Sequence, residues 1–376
     1  LGYNSFDVLE DGYGLNLRPL SVFASEVYRD DPCTYFYPHT LDDVVYDSIE
    51  HSLTAKMHKA IAVIQFKLEG QLIKNHPEYG MDGRCFFDKV DFGRGVINIG
   101  GKEYELRDKS FPTVDPSDPL KLSREESELV RILQSSFRHS GRLRQHIKFI
   151  YDHGGMYRKI NGNLLYHGCI PLNDDGSFRE ITLPFADCAG KTFHGKALLD
   201  RIEQEVRSAY FSPNGTNEQK EAADFMWYLW CGTDSPLYGK DKMAFFERTF
   251  LGKEASELCT EHYEPYYSHT NDASVCEMIL EEFGLDKRRG HIVNGHVPVL
   301  RCDGESPIKA GGKLFVIDGG ISKAYRVKTG IAGYTLIYDS HSLRLAEHKP
   351  YDGEGADITP KVSIVEKMER RVNIAD

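Results

Sequence analysis

Two histidines share one local setting. In HIVNGHVPVL, residues 291–300, His296 follows Asn294 and Gly295 at the end of a short apolar run and precedes a Pro-containing turn. In NGNLLYHGCIP, residues 161–171, the run Leu164, Leu165, Tyr166 leads into His167 and Gly168. Each imidazole is thereby placed on a loop where a strand stops, beside a residue whose missing side chain lets backbone, solvent or a cation approach. Neutral imidazole is the commonest protein metal ligand, and strand-end loops are where open α/β sheets build their sites. Two such histidines can be two ligands, an acid and a base, or two hydrogen-bonded core residues.

Two cations about 3.5–4 Å apart on a phosphate ester need carboxylate charge to offset their repulsion. Asp318 in LFVIDGGISKAY stands at another strand end. It could be a ligand or a hydrogen-bonding support, and equally a turn aspartate favoured before Gly319 and Gly320 for backbone reasons. Lys323, three residues beyond that diglycine, is placed to reach the same cleft. Cations for a compact phosphate also occur in LWCGTDSPLYGKDKMAFFER, residues 229–248, as Lys240, Lys242 and Arg248, where the alternative is a solvated helix face. Cys169 beside His167 is a poor nucleophile candidate. Neighbours on a strand end point apart, whereas a catalytic base must be hydrogen-bonded to the sulfur.

The elements that position these groups follow from periodicity. Met57, Ile61, Ile64, Leu68 and Leu72 form an apolar stripe that predicts a long helix within 41–75. Ser123 with Glu126 is a capping box that opens a helix predicted over 123–152. Between them, GVINIGGKEYEL at 95–106 predicts a hairpin around Gly100 and Gly101. After residue 160 short strands alternate with helices: strands at 163–166, 291–293 and 314–317, two more in 334–348, and helices at about 194–209, 217–231 and 273–284. The chain therefore reads as α/β (α+β), with a mainly helical region over 1–152 and a strand-bearing region over 153–376. Asp115 to Leu120, with its two prolines, is a candidate boundary.

With 46 Lys and Arg against 57 Asp and Glu, the formal charge is −11, and no basic run tracks a phosphate backbone. Nucleic acid is not an expected partner. No stretch has the roughly 18 uncharged apolar residues of a membrane span. The eight cysteines lie at least 17 residues apart, which excludes a C-x-x-C metal pair and fits a reducing cytoplasm.

HGCIP at 167–171 and NGHVPV at 294–299 resemble two metal-binding elements of calcineurin-like metallophosphoesterases. Together with LWCG…SPLYGKDKMAFFER, GGKLFVIDGGISKAY, TGIAGYTLIYDS and EDGYGLNLRPL, they resemble the class 3, Firmicutes-type fructose-1,6-bisphosphatases over essentially the whole chain. That resemblance implies a β-sandwich flanked by helices, incomplete here, with residues 1–152 as an insertion. It implies hydrolysis of fructose 1,6-bisphosphate to fructose 6-phosphate in gluconeogenesis at a two-metal Mn²⁺ centre, with His167 and His296 as ligands.

The family's other ligands sit in D-x-H, G-D-x-x-D-R-G and G-N-H-D elements that the resemblance places before Leu1. The expected leaving-group acid lies there too. Three expectations follow: residues 1–376 alone have little or no activity, the earlier elements belong to a removed or separate N-terminal segment, and no catalytic acid lies within the chain. The alternatives are a metallophosphatase acting on phosphoproteins or dinucleoside polyphosphates, which leaves SPLYGKDKM and TGIAGYTLIY unexplained, and a non-catalytic partner derived from the enzyme.

Overall fold

The structure is a computed structural model describing residues 6–38, 48–320, 328–330, 333–339, 341–349 and 359–367. Helices and sheets are mixed throughout, and the chain divides into two compact units, Leu1–His153 with Lys242–His262, and Gly154–Asp241 with Tyr263–Asp376.

The first unit begins with α1 (Arg18–Val27), started by Pro19 in its first turn, where a missing N–H costs nothing. Next comes α2 (Ser48–Asn75). The expected stripe on α2 is only part of what it buries. Residues 59–64 are all buried, on every face, while Leu68 is exposed. Two lysines, Lys59 and Lys67, lie among the fully buried side chains, so polarity hid the true extent of burial. Lys59 meets Asp31 at 2.6 Å and Asp108 at 2.9 Å, and Lys67 donates to Glu126 and to the Thr113 carbonyl, each at 2.7 Å.

The small antiparallel sheet β1 (Val90–Asp91), β2 (Val96–Ile99) and β3 (Lys102–Glu105) contains the expected hairpin. Both Gly100 and Gly101 have positive φ, as a two-residue turn with the strands' own twist requires. The helix predicted over 123–152 is instead two, α3 (Arg124–His139) and α4 (Gly141–His153). Ser123 and Glu126 form the reciprocal capping box. The break falls at Ser140, whose backbone is extended and whose hydroxyl donates to the Tyr13 carbonyl and accepts from the Leu143 amide. Apolar spacing carried across this junction and concealed it. Asp115 to Leu120 lies inside the first unit, with the Leu120 carbonyl accepting from Gln71.

The second unit opens with the hairpin β4 (Tyr157–Ile160) and β5 (Asn163–Tyr166), turned by Asn161 and Gly162, both with positive φ. Helices α5 (Gly195–Phe211) and α6 (Asn217–Cys231) follow. The chain then returns to the first unit, where α7 (Phe245–Phe250) joins a cluster of aromatic rings: Phe246 stacks on Phe86 at 4.3 Å between centroids and meets Phe66 edge-on at 5.1 Å. Back in the second unit come α8 (Ala273–Glu282), β6 (Ile292–Asn294), β7 (Ile308–Lys309), β8 (Leu314–Val316), β9 (Tyr334–Tyr338), β10 (Ser342–Glu347) and β11 (Lys361–Lys367). Asp272 caps α8 by accepting from the Ser274 amide.

Two sheets result: a three-stranded antiparallel one of order β11-β10-β9 and a five-stranded one of order β4-β5-β6-β8-β7. In the larger sheet β5, β6 and β8 run parallel, with Leu165 opposite Val293 and Val293 opposite Phe315. Their apolar, buried residues fit strands covered on both faces. Parallel pairing also brings their C-terminal ends to one edge of the sheet.

Candidate metal site at the strand ends

Register decides which side chains meet at that edge. Two residues beyond the paired Leu165 and Val293 the chain reaches His167 and Gly295, three beyond their partner Phe315 it reaches Asp318, and His296 follows Gly295 directly. The Gly295 amide donates to the His167 carbonyl at 3.0 Å, and the Val299 amide donates to the Asp318 carbonyl at 2.9 Å. His296 has φ +68°, a left-handed conformation that costs a non-glycine residue about 1–2 kcal/mol. That conformation brings its ring to His167, with His167 Nε2 and His296 Nδ1 3.0 Å apart.

Which ring holds the proton follows from a third group. His296 Nε2 lies 2.7 Å from the Tyr238 carbonyl, which can only accept, so Nε2 carries the hydrogen and Nδ1 is left with its lone pair. His167 Nε2–H therefore donates to His296 Nδ1. Partial burial lowers the pKa of both rings. His296 adds to the effect on His167 and Lys240 to that on His296, while the Asp318 carboxylate pulls both the other way. Lowered pKa values keep the rings neutral near pH 7, the form that binds metals.

The loop that presents Tyr238 is packed against the β5 turn without slack. A Cβ on Gly168 would stand 2.4 Å from the Pro236 carbonyl, and one on Gly239, whose φ is +61°, 2.9 Å from the Tyr267 hydroxyl. The Cys169 amide donates to the same Pro236 carbonyl. Its thiol is buried and its pKa pushed well up by that burial, so it is not a nucleophile.

Two imidazole nitrogens fit a transition metal in type. Among the described residues, no group of three or more His, Cys, Asp or Glu is placed to hold a metal ion. The one D-x-H triplet, Asp339 to His341, is not such a group. Asp339 accepts from the amides of His341 and Ser342 and from Arg344, closing the β9–β10 turn.

The remaining candidates are dispersed. Asp318 is half-buried, with its carboxylate accepting from the Gly320 amide at 2.9 Å. Lys240 lies over the Tyr263 ring at 5.1 Å, within electrostatic reach of His296. Lys242 and Arg248 belong to the first unit, where Arg248 pairs with Glu261 at 3.1 Å. Lys323 lies outside the described residues.

Sequence reading overlooked the support beneath the histidines. Asn294, buried, donates to the Gly168 carbonyl at 3.1 Å and to the Tyr266 hydroxyl at 2.9 Å, and Tyr266 meets the Tyr166 hydroxyl at 2.7 Å. An asparagine ending a buried parallel strand was the one local signal. Its partners, 126 and 28 residues away, were beyond any local pattern.

The profile of the family described as Firmicute fructose-1,6-bisphosphatase matches residues 1–376. A fructose-1,6-bisphosphatase class 3 from Bacteroides fragilis is 48% identical over 381 residues, covering 100% of this chain and 56% of that protein. One from Clostridium novyi is 47% identical over 382 residues with the same coverage, and one from Listeria innocua 48% over 349 residues, covering 93% of this chain and 52% of its own length. The chain thus spans about half the length of the curated relatives it matches. No solved structure matches. No described helix is long and apolar enough to cross a membrane. A match over the whole chain, with both strand-end histidines inside it, means that the chain belongs to the Firmicute fructose-1,6-bisphosphatase family.

Proposed function

We propose that this chain supplies two imidazole ligands, His296 Nδ1 and His167 Nε2, to a two-metal Mn²⁺ centre that hydrolyses fructose 1,6-bisphosphate to fructose 6-phosphate and phosphate in the cytoplasm. The observation that carries this reading is the convergence of the two ring nitrogens, 3.0 Å apart, at the ends of parallel strands. The relatives' name supplies the substrate. A bound divalent cation contributes positive charge against the phosphate oxygens and acidifies water.

The chain's own groups do the rest. The Tyr238 carbonyl fixes the His296 tautomer and leaves Nδ1, which faces His167 Nε2, with its lone pair. To hold a metal through Nε2, His167 would have to carry its hydrogen on its own Nδ1, leaving His296 Nδ1 with its lone pair. Asp318 adds negative charge beside both rings and so favours a cation there, and Lys240, within electrostatic reach of His296, is the cation assigned to a phosphate oxygen. The further carboxylate ligands and the leaving-group acid come, in this reading, from an additional segment in the same or a separate chain. The free state of all eight cysteines accords with a reducing compartment.

The test is Mn²⁺ titration of the 376-residue chain followed by electron paramagnetic resonance, beside phosphate release from fructose 1,6-bisphosphate, a phosphopeptide and a dinucleoside polyphosphate. Mn²⁺ binding that both His167→Asn and His296→Asn abolish is expected, with turnover of the sugar bisphosphate alone once the additional segment is supplied. Mn²⁺ binding indifferent to both substitutions would sink the ligand assignment. Turnover by the 376 residues alone would overturn the need for another segment.

A further inference from the structure

Two loops from separate strands must hold their histidine nitrogens to a few tenths of an ångström, yet the main chain ties them directly by one hydrogen bond, from the Gly295 amide to the His167 carbonyl. The buried side-chain network below them does more. Asn294 lies two residues before His296, Gly168 one after His167, and Tyr166 one before it, so the network ends on the neighbours of both histidines. Its orientation is not free. The Gly168 carbonyl only accepts, which fixes the Asn294 amide with Nδ2 toward it and gives the second Nδ2 hydrogen to Tyr266.

Tyr266 is itself anchored. Its amide and that of Leu172 both donate to the buried Glu264 carboxylate, at 2.6 and 2.8 Å. Leu172 lies five residues beyond His167, so one carboxylate joins the tyrosine to the strand exit that carries the histidine.

Resting on the ligand assignment proposed above, we infer that Asn294 is a positioning residue. By clamping the Gly168 carbonyl to the Tyr266 hydroxyl it sets the separation and mutual angle of the His167 and His296 rings, now 4.9 Å between centroids and 70° between planes. Its side chain donates to the Gly168 carbonyl and the Tyr266 hydroxyl, and it is not one of the proposed ligands. Asn294→Leu leaves the Gly168 carbonyl without its side-chain donor, so the β5 turn relaxes and the rings part. Tyr266→Phe removes one hydroxyl and leaves the Gly168 bond in place, so it acts in the same direction and less.

The experiment compares the full chain with Asn294→Leu, Tyr266→Phe and, as a stability control, Leu199→Ala, a buried α5 residue outside the network. The first readout is ring ¹⁵N NMR of the metal-free protein, where the proton shared between His167 and His296 gives the signature. The second is Mn²⁺ affinity. Asn294→Leu is expected to lose the shared-proton signal and to weaken Mn²⁺ about 10–100-fold, the range for groups that orient metal ligands. Tyr266→Phe should weaken it a few-fold and Leu199→Ala not at all.

If Asn294→Leu keeps the signal, or if Leu199→Ala weakens Mn²⁺ as much as Asn294→Leu does, the positioning role is overturned. If the parent chain binds no Mn²⁺ but loses its shared proton in Asn294→Leu, the ligand assignment fails and the positioning role stands.

Discussion

Polar groups meet in both units, buried in the first and at a partly exposed sheet edge in the second, with opposite chemistry. In the first, Lys59 lies between Asp31 and Asp108, and Lys67 between Glu126 and a carbonyl, so each ammonium finds acceptors and its charge is neutralised by a carboxylate. In the second, two bases of one kind face each other at a sheet edge, joined by a single proton, and one holds a left-handed backbone to do so. Groups that cancel one another are finished by folding. Groups that converge without cancelling one another are left with capacity for something else, and strain tolerated for that convergence marks a site rather than a scaffold.

Four substitutions or conditions can break or sharpen this contrast. The largest effect is expected from Lys59→Met. Breaking a buried pair by removing one partner costs about 3–5 kcal/mol, because the other charge stays buried. Urea denaturation followed by near-ultraviolet dichroism should show that loss, with Mn²⁺ affinity unchanged. An equal fall in affinity would mean that the two regions are not independent.

His296→Asn reverses the pattern. Mn²⁺ binding should weaken by more than the roughly 100-fold typical of an orienting group. Stability should shift by no more than about 1 kcal/mol, since lost hydrogen bonds are offset by asparagine's tolerance of positive φ.

Acid should then separate the units. Folding lowers the pKa of His167 and His296, so the stability they contribute is present above about pH 6.5 and is lost as the pH falls through their lowered values. Burial pushes the Asp31 carboxyl up, but hydrogen bonds from Lys59, Ser110 and the Cys33 amide outweigh it and hold its pKa down. Its contribution is lost only below about pH 3.9. Both tryptophans, Trp227 and Trp230, lie on α6, so fluorescence reports the second unit alone. Its urea midpoint should fall between pH 7 and 5.5, less steeply in the His167→Asn, His296→Asn double variant. A pH slope unchanged by the double variant would refute the assignment.

The smallest effect is Ser123→Ala, which removes the α3 cap. About 1 kcal/mol should be lost from the first unit, with the fluorescence transition unmoved.

Much of this contrast was legible locally, because its signals lie within a few residues. The His167 and His296 settings, the Gly100–Gly101 hairpin and the Ser123 capping box are all of that kind. The Asn161–Gly162 turn was equally local and still passed unread, as did the alternation of Val362 and Ile364 that makes β11, where both side chains are exposed. What no local pattern could give is pairing at a distance. Lys59 as a core residue needs Asp31 and Asp108, Asn294 needs Gly168 and Tyr266, and one continuous stretch holding Lys240, Lys242 and Arg248 is divided between two units.

That division has a consequence for synthesis. Phe246 and Phe250 complete the aromatic cluster around Phe66, but the ribosome reaches them some 180 residues after Phe66 and after most of the second unit's helices. Until they emerge, the cluster in the earlier-made part lacks two of its rings and exposes apolar surface. A fragment ending at His153 would lack both rings, and its aromatic cluster would stay incomplete.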